Sequence, residues 1–182
     1  MAYSVLIESK IMATNVDSLV RDGVAASQVM ENGFICQLAT KSSTSGEGEV
    51  WSATAPATGS LNGLWMVNEP AVVEVVAEDG TRYKGINNDP RNFSIPALRP
   101  FSAFKPQPGD LIKVTDDALA GTKSTNTFVN AADGAYQLTW GSSATANALS
   151  FKLIETSYVS IASGTLGASQ RVTAYLFQCV AN

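Results

Sequence analysis

The chain has 182 residues, of which 45% are hydrophobic and only 15% are charged, and its net charge at pH 7 is −4. Its twelve basic residues are scattered, so it lacks the basic patch by which proteins attract nucleic acid. It contains no histidine, which excludes His-containing catalytic triads and His zinc sites.

No stretch is apolar for long enough to span a bilayer, so we expect no membrane partner. The first ten residues do not resemble a secretory signal, because no basic residues precede their short apolar run. We therefore expect synthesis in a cytoplasm. Cys36 and Cys179 lie far apart, with neither metal nor redox spacing, and each falls within a predicted strand. Buried thiols are the expected state, since a disulfide would need an oxidising compartment.

The N-terminal region combines a strand with a loose polar segment. Val5, Leu6 and Ile7 predict a short strand. Residues 9–28 are polar with isolated apolar anchors, and this pattern suits either an extended arm on another surface or an ordinary edge strand and loop. The sequence does not choose between these alternatives.

The clearest supersecondary pattern is a hairpin between residues 34–40 and 49–55. Phe34, Cys36 and Leu38 alternate at the period of a strand, and residues 42–48 form a small polar tip. Further strands are predicted at 64–67, 71–76 and 81–86, with a tight turn at 78–80.

A proline-rich connector at residues 99–108 divides the chain. Proline removes a backbone donor, so we expect this segment to form neither a helix interior nor a central strand. Phe101 and Phe104 are expected to pin it onto a core. A turn at 108–110 then leads into a strand at 111–114.

The C-terminal third has few charges and alternates strands with Gly- and Ser-containing turns. Asp116 and Asp117 followed by Gly121 predict one helical turn. Strands are predicted at 136–140, 149–153, 158–161 and 171–180, with a turn at 162–169. The last strand is apolar on both faces, which is typical of a central or interface strand.

The spacing of strands and turns predicts an all-β protein, with sandwich or barrel-like lobes of mostly antiparallel strands, long loops and at most a short helix. We expect an N-terminal arm and first strand at 1–28, a β-rich lobe with the connector at 29–110, and a sandwich-like lobe at 111–182. These lobes could form one compact domain.

The sequence predicts no catalytic, cofactor-binding or metal-binding residues. Asp116 and Asp117 fit a helix start better than an acid–base pair. Residues 87–89 lack the spaced acidic ligands of a calcium loop. The three tryptophans could form a sugar-binding platform, although their strand positions favour a core. We therefore expect a protein that is not an enzyme.

Several segments resemble small structural proteins of tailed bacteriophages, namely the decoration or cement proteins that coat the capsid. These segments are residues 32–56, 83–93, 101–106, 152–156 and 170–175. The resemblance implies a location on the capsid surface of a virion, synthesis in a bacterial host, binding to the major capsid protein and stabilisation of the expanded head. It implies no catalytic residues.

From the residues we expect the capsid contact to use the N-terminal segment and the connector, through Val5, Leu6, Ile7, Phe101 and Phe104. Neighbouring copies on the lattice are also expected partners. Two alternatives stay open: another virion component, such as a tail-tube or head-fibre subunit, and a carbohydrate-binding module.

Overall fold

The computed structural model describes residues 2–43, 48–71, 74–76, 82–84, 89–162 and 169–182. Within these ranges the chain forms β-strands joined by loops and by 3₁₀ turns of three residues each, which confirms the predicted all-β class. The strands are β1 (Leu6–Lys10), β2 (Val20–Ala25), β3 (Ile35–Lys41), β4 (Val50–Thr54), β5 (Trp65–Val67), β6 (Glu74–Val76), β7 (Arg82–Lys84), β8 (Pro100–Phe104), β9 (Leu111–Thr115), β10 (Leu119–Ala120), β11 (Phe128–Asn130), β12 (Leu138–Gly141), β13 (Ser150–Ala162) and β14 (Ser169–Ala181). The 3₁₀ turns are Ala13–Asn15, Asp17–Leu19, Pro90–Asn92 and Asp116–Ala118.

Five strands close into a barrel in the order β2–β4–β3–β5–β8. Strands β2 and β4 run parallel, and the other neighbours run antiparallel. The predicted hairpin is confirmed as the β3–β4 pair. Because the barrel is closed, none of its strands is left as an edge.

The barrel interior is narrow enough to require glycine at one position. Gly23 in β2 faces inward, and a Cβ added to it would lie 2.8 Å from Cζ of Phe101 and 2.9 Å from Cδ2 of Leu38. These distances are shorter than van der Waals contact, so the Phe101 ring occupies the space that a larger residue at position 23 would need.

The expectation that the connector contains no central strand is wrong. Residues Pro100–Phe104 form β8, which pairs with β2 on one side and with β5 on the other. Proline is compatible with this strand because Pro100 is its first residue, a position that strands tolerate. Pro106 and Pro108 follow the strand and remove no donor from its ladders. Phe101 and Phe104 are buried, as expected for side chains that pin the segment onto a core.

A seven-stranded sheet has the order β1–β9–β14–β13–β11–β12–β10. The last strand, β14, lies between β9 and β13, which confirms its predicted central position. Residues 1–28 contribute β1 to an edge of this sheet and β2 to the barrel. The segment after the first strand consists of two 3₁₀ turns and the barrel strand β2, which is paired on both sides. Both alternatives for it, an extended arm and an edge strand with a loop, are therefore wrong.

The barrel and the sheet share a hydrophobic core. One buried cluster contains Ile35, Met66 and Phe104 from the barrel together with Ile112 and Phe177 from the sheet. A second cluster lies within the barrel and around its outer loops, and it includes Phe93 and Ile95 from the segment before β8. The shared cluster means that neither lobe buries its apolar surface without the other.

Two asparagine side chains bridge loop segments through paired hydrogen bonds, the half-buried Asn182 between the sheet and the barrel and the buried Asn32 within the barrel lobe. Asn182, which follows β14, accepts a hydrogen bond from Leu64 N at 2.9 Å through its Oδ1 atom. Its Nδ2 atom donates to Leu64 O at 3.0 Å and to Pro106 O at 2.9 Å. Asn32 pairs in the same way with both backbone groups of Glu69. These bonds supply side-chain partners to the backbone groups of Leu64 and Glu69, as polar groups away from water require.

Several predicted features lie wholly or partly outside the described residues. They are the turn at 78–80, most of the 162–169 turn, residues 44–47 of the hairpin tip, Val72 and Val73 of the 71–76 strand, Thr81, Gly85 and Ile86 of the 81–86 strand, and Asn87 and Asn88. The predicted helical turn after β9 is confirmed as the 3₁₀ turn Asp116–Ala118.

Gly23→Ala should lower the free energy of unfolding by about 1–3 kcal/mol, which is the usual effect of overpacking a core. Phe101→Leu removes the ring atoms that the new methyl group would meet. The double variant should therefore be more stable than the sum of the single effects predicts, as measured by urea unfolding. Strict additivity of the two substitutions would contradict the contact.

Asn182→Asp should destabilise the protein more at pH 7 than at pH 4. The variant keeps an acceptor for Leu64 N–H but sets a carboxylate oxygen against two carbonyl oxygens, at a cost of about 1–3 kcal/mol. This repulsion raises the folded-state pKa above the unfolded value of about 3.9. The variant is therefore least destabilised below the unfolded pKa and loses stability as pH rises through the folded one.

Urea unfolding at the two pH values measures this effect relative to the wild type at each pH. Asn182→Ala serves as the control, because its loss of hydrogen bonds does not titrate. An equal loss for Asn182→Asp at pH 4 and pH 7 would argue against the described hydrogen bonds.

Candidate functional site

Most of the side chains that the sequence suggested for a capsid contact lie in the interior. Val5 and Leu6 are 7% and 9% exposed, and Phe101 and Phe104 are 2% and 1% exposed. Ile7 is half-buried. A partner that approaches this fold cannot reach the four buried side chains, so any contact with a lattice has to use other residues.

The C-terminal hairpin offers a more accessible surface. Strands β13 and β14 each have thirteen residues. Within the described ranges β9 pairs with β14 from Ala174 to Gln178, and β11 pairs with β13 from Ser150 to Lys152. Beyond these positions, residues 155–162 and 169–173 pair, among the described residues, only with strand partners in the hairpin itself. In the described part of the chain its outer part therefore presents backbone edges that lack a neighbouring strand.

One face of this outer hairpin is exposed. Directly paired residues share a face of a sheet, and three pairs lie on this one: Thr156 with Tyr175, Tyr158 with Thr173, and Ser160 with Arg171. Tyr158 is 58% exposed, and Tyr175 at the base is buried. The remaining four residues are exposed. We call these five exposed residues the hairpin face.

The opposite face of the hairpin packs against the molecule and holds the hairpin in place. Ile161 is buried, and the Gln170 side chain accepts a hydrogen bond from Nη2 of Arg91 at 3.0 Å. Arg91 is itself fixed by Asp89, whose carboxylate lies 2.7 Å from Nη2 of Arg91. This pairing holds the pKa of Asp89 below its usual range.

The base of the hairpin face is anchored by an aromatic cluster. The Tyr175 and Trp140 rings meet edge to face at a centroid distance of 5.2 Å. Nζ of Lys123 donates to Oγ1 of Thr156 at 2.6 Å and lies 5.4 Å from the centre of the Tyr175 ring. Burial, with a smaller contribution from Asp116, raises the pKa of Tyr175. The base of the hairpin face is thus held in place by the contacts of Tyr175 and Thr156.

A second accessible feature is a polar cleft at one end of the barrel. It has a volume of about 490 Å³ and is lined by Asp17, Ser18, Val20, Arg21, Asp22, Glu49 and Trp51. We call it the Arg21 cleft. The Arg21 guanidinium carbon lies 4.1 Å from the centre of the Trp51 ring and 4.8 Å from that of Trp65. Arg21 shares its strand face with inward-facing Gly23, so the guanidinium group covers this end of the barrel interior.

The tryptophans do not form the flat platform that the sequence left open. Trp65 and Trp140 are buried, at 5% and 8% exposure, as the core alternative predicts. Trp51 is half-buried and is stacked with Arg21. Sequence reasoning missed this stack, because it depends on strands β2, β4 and β5, which come together only when the barrel closes.

The remaining candidate groups have structural roles. Asp116 and Asp117 begin a 3₁₀ turn, and burial together with the neighbouring Asp116 raises the pKa of Asp117. Asp89 caps the turn Pro90–Asn92 by accepting a hydrogen bond from Arg91 N. In the described part of the chain no cluster of three or more His, Cys, Asp or Glu residues could hold a metal ion.

The two cysteines are free and buried. Cys179 belongs to the core that the barrel and sheet share, whereas Cys36 belongs to the other cluster. Burial raises the pKa of each thiol to about 12. Since the thiolate is the reactive species, both groups are chemically inert in the folded state.

Comparison of the chain with protein-family models, curated proteins and solved structures found no match. Within the described ranges, no helical segment has the length and hydropathy that a membrane-spanning helix needs.

The two thiols should resist a thiol-specific reagent, such as Ellman's reagent, at pH 8 under native conditions. With pKa values of about 12, a negligible fraction of either thiol is ionised at that pH. In a denaturant both should react at the rate of a free cysteine, which gives two equivalents per chain. Rapid labelling of the native protein would contradict the described burial.

Proposed function

We propose that this protein is a non-enzymatic structural protein of a tailed-phage virion. It binds the outside of the capsid lattice and stabilises the head. The proposal rests on the sequence resemblance to decoration proteins and on one structural observation: the outer part of the β13–β14 hairpin is exposed and has no neighbouring strand among the described residues. Its partners are the major capsid protein and neighbouring copies, and it is made in the bacterial host before joining the virion.

The composition of the hairpin face supports a contact with protein. Tyrosine and arginine are enriched in protein interfaces, and here Tyr158 and Arg171 stand among hydroxyl-bearing residues. Arg171 is the single formally charged residue of the five that form the face. Its hydroxyl groups and the Arg171 guanidinium group can exchange hydrogen bonds with water for hydrogen bonds with a partner, and Tyr158 orders few rotatable bonds when it becomes fixed.

The hairpin edges add a second mode of contact. An edge strand can accept a further strand from a partner through backbone hydrogen bonds. Soluble proteins usually protect such edges with lysine, proline or bulges. A register shift between Leu153 and Glu155 lies at the base of this edge, but residues 155–162 contain no lysine or proline and only one acidic residue, Glu155. The edge is thus suited to receive a partner.

On a capsid lattice, many copies of a small contact together give strong binding. Each subunit would bury a limited area, and contacts to adjacent copies would add avidity without requiring a large individual interface. The low charge content of the chain, 15%, limits repulsion between copies that lie side by side.

The test is co-sedimentation of the purified protein with expanded capsids that lack it. We expect the wild type to bind at a fixed number of copies per capsid. Tyr158→Ala should weaken binding at least about tenfold, because truncation of an interface tyrosine commonly costs 1–2 kcal/mol or more. Tyr158 is largely exposed, so the substitution should leave stability unchanged.

Met12→Ala is the matched control. Met12 is also 58% exposed but lies outside the hairpin, so its truncation should leave binding unchanged. Equal binding of the wild type and Tyr158→Ala would exclude the hairpin face as the contact. Absence of wild-type binding would overturn the capsid proposal, and tubes or rings of the protein alone would then favour a tail component.

A further inference from the structure

The Arg21 cleft contains hydrogen-bonding groups that the fold itself does not use. The guanidinium group carries five N–H donors, and within the described ranges it makes one long hydrogen bond, from Nη1 to Leu38 O at 3.4 Å. Its central carbon lies near the centres of two tryptophan rings, at 4.1 Å and 4.8 Å. These cation–π contacts restrict the guanidinium group, so its donors beside the open space lose less freedom on binding than those of an unsupported side chain.

The Arg21 cleft is also lined by hydrogen-bond acceptors that carry negative charge. Asp17, Asp22 and Glu49 are exposed carboxylates that contribute to the wall, and ionised carboxylates act only as hydrogen-bond acceptors. Trp51 supplies an aromatic surface to the wall. The cleft therefore combines fixed donors, several acceptors and one apolar ring surface within about 490 Å³.

These features select a class of ligand. An anion would meet three carboxylates against one guanidinium group, and a simple cation would leave the Arg21 donors unused while approaching a like charge. A neutral ring that bears several hydroxyl groups uses all three features, because each hydroxyl group both donates and accepts. Its C–H surface can lie against an aromatic side chain. Cleft-like sites of this size at barrel mouths also commonly hold small molecules.

We propose that the Arg21 cleft binds a neutral pyranose unit of a glycan. Arg21 donates to the sugar oxygens, Asp22 and Glu49 accept from its hydroxyl groups, and Trp51 packs against the ring. The site is separate from the hairpin face, so it would allow a subunit bound through the hairpin to hold a glycan as well. It does not depend on the proposed capsid contact.

The test uses the full chain on an array of immobilised glycans that are neutral, N-acetylated, amino-substituted or uronic acid-containing. We expect binding to neutral or N-acetylated glycans and not to the acidic ones. Saturation-transfer NMR with the corresponding methyl glycosides should show contact with ring protons, and it should detect the weak affinity of a single sugar unit.

Variants locate the site. Arg21→Lys keeps the charge but loses the planar set of donors, and Asp22→Asn/Glu49→Gln alters two exposed acceptors without touching the core. Each should reduce glycan binding at least tenfold. Glu155→Gln, an exposed carboxylate on the hairpin, should have no effect.

Three results would overturn the proposal: no glycan binding by the wild type, a preference for acidic glycans, or unchanged binding in both cleft variants. The cleft variants should also co-sediment with capsids as the wild type does, so failure of this proposal is distinguishable from failure of the capsid proposal.

Discussion

The packing of the barrel against the seven-stranded sheet is the interaction on which the rest of the structure depends. Phe104 ends a barrel strand, is almost completely buried, and belongs to the same cluster as Ile112 and Phe177 of the sheet. Burial of a phenylalanine side chain contributes about 1.5–3 kcal/mol, and here that contribution requires both lobes. The amide of Asn182 reinforces the same joint by pairing with Leu64 at the start of β5.

The packing of the barrel against the sheet determines which surfaces are accessible to a partner. Phe104 and Leu6 belong to the cluster that joins the lobes, and they and Val5 are buried, so these side chains are unavailable to a partner. The outer part of the β13–β14 hairpin extends past its neighbouring strands and keeps Tyr158 in solvent. The Arg21 cleft lies at one end of the barrel. The two proposed binding surfaces thus use residues that the core leaves free.

Sequence periodicity predicted local elements better than their partners. The alternation of Phe34, Cys36 and Leu38 predicted a strand of the confirmed hairpin, and the apolar run at 171–180 predicted a central strand. It did not predict that β2 pairs in parallel with β4 or that the barrel closes, because those contacts depend on distant segments. The strand β8 was not predicted because Pro100 is its first residue. In sequence, a proline at the first position of a strand cannot be distinguished from one that ends a strand.

The candidate sites were predictable only in part. The sequence showed that Phe101 and Phe104 are large enough to anchor a segment. The same large apolar residue types also form exposed contacts, so the sequence alone did not show which role these two have. The Arg21 stack needs strands that are distant in the chain, and no local pattern around Arg21 indicates it. The free edges of the hairpin follow from where β9 and β11 stop pairing with it, and the exposure of Tyr158 follows from the sheet face on which it lies. Both are again properties of the fold.

The central claim is that the hairpin is the surface that meets a capsid, and hydrogen exchange tests it most directly. Amide exchange would be compared by mass spectrometry for the free protein and for the protein bound to expanded capsids. We expect peptides covering 154–162 and 169–173 to gain protection on binding, while barrel peptides such as 35–41 exchange as before. Protection confined to the barrel, with the hairpin peptides unchanged, would contradict the account.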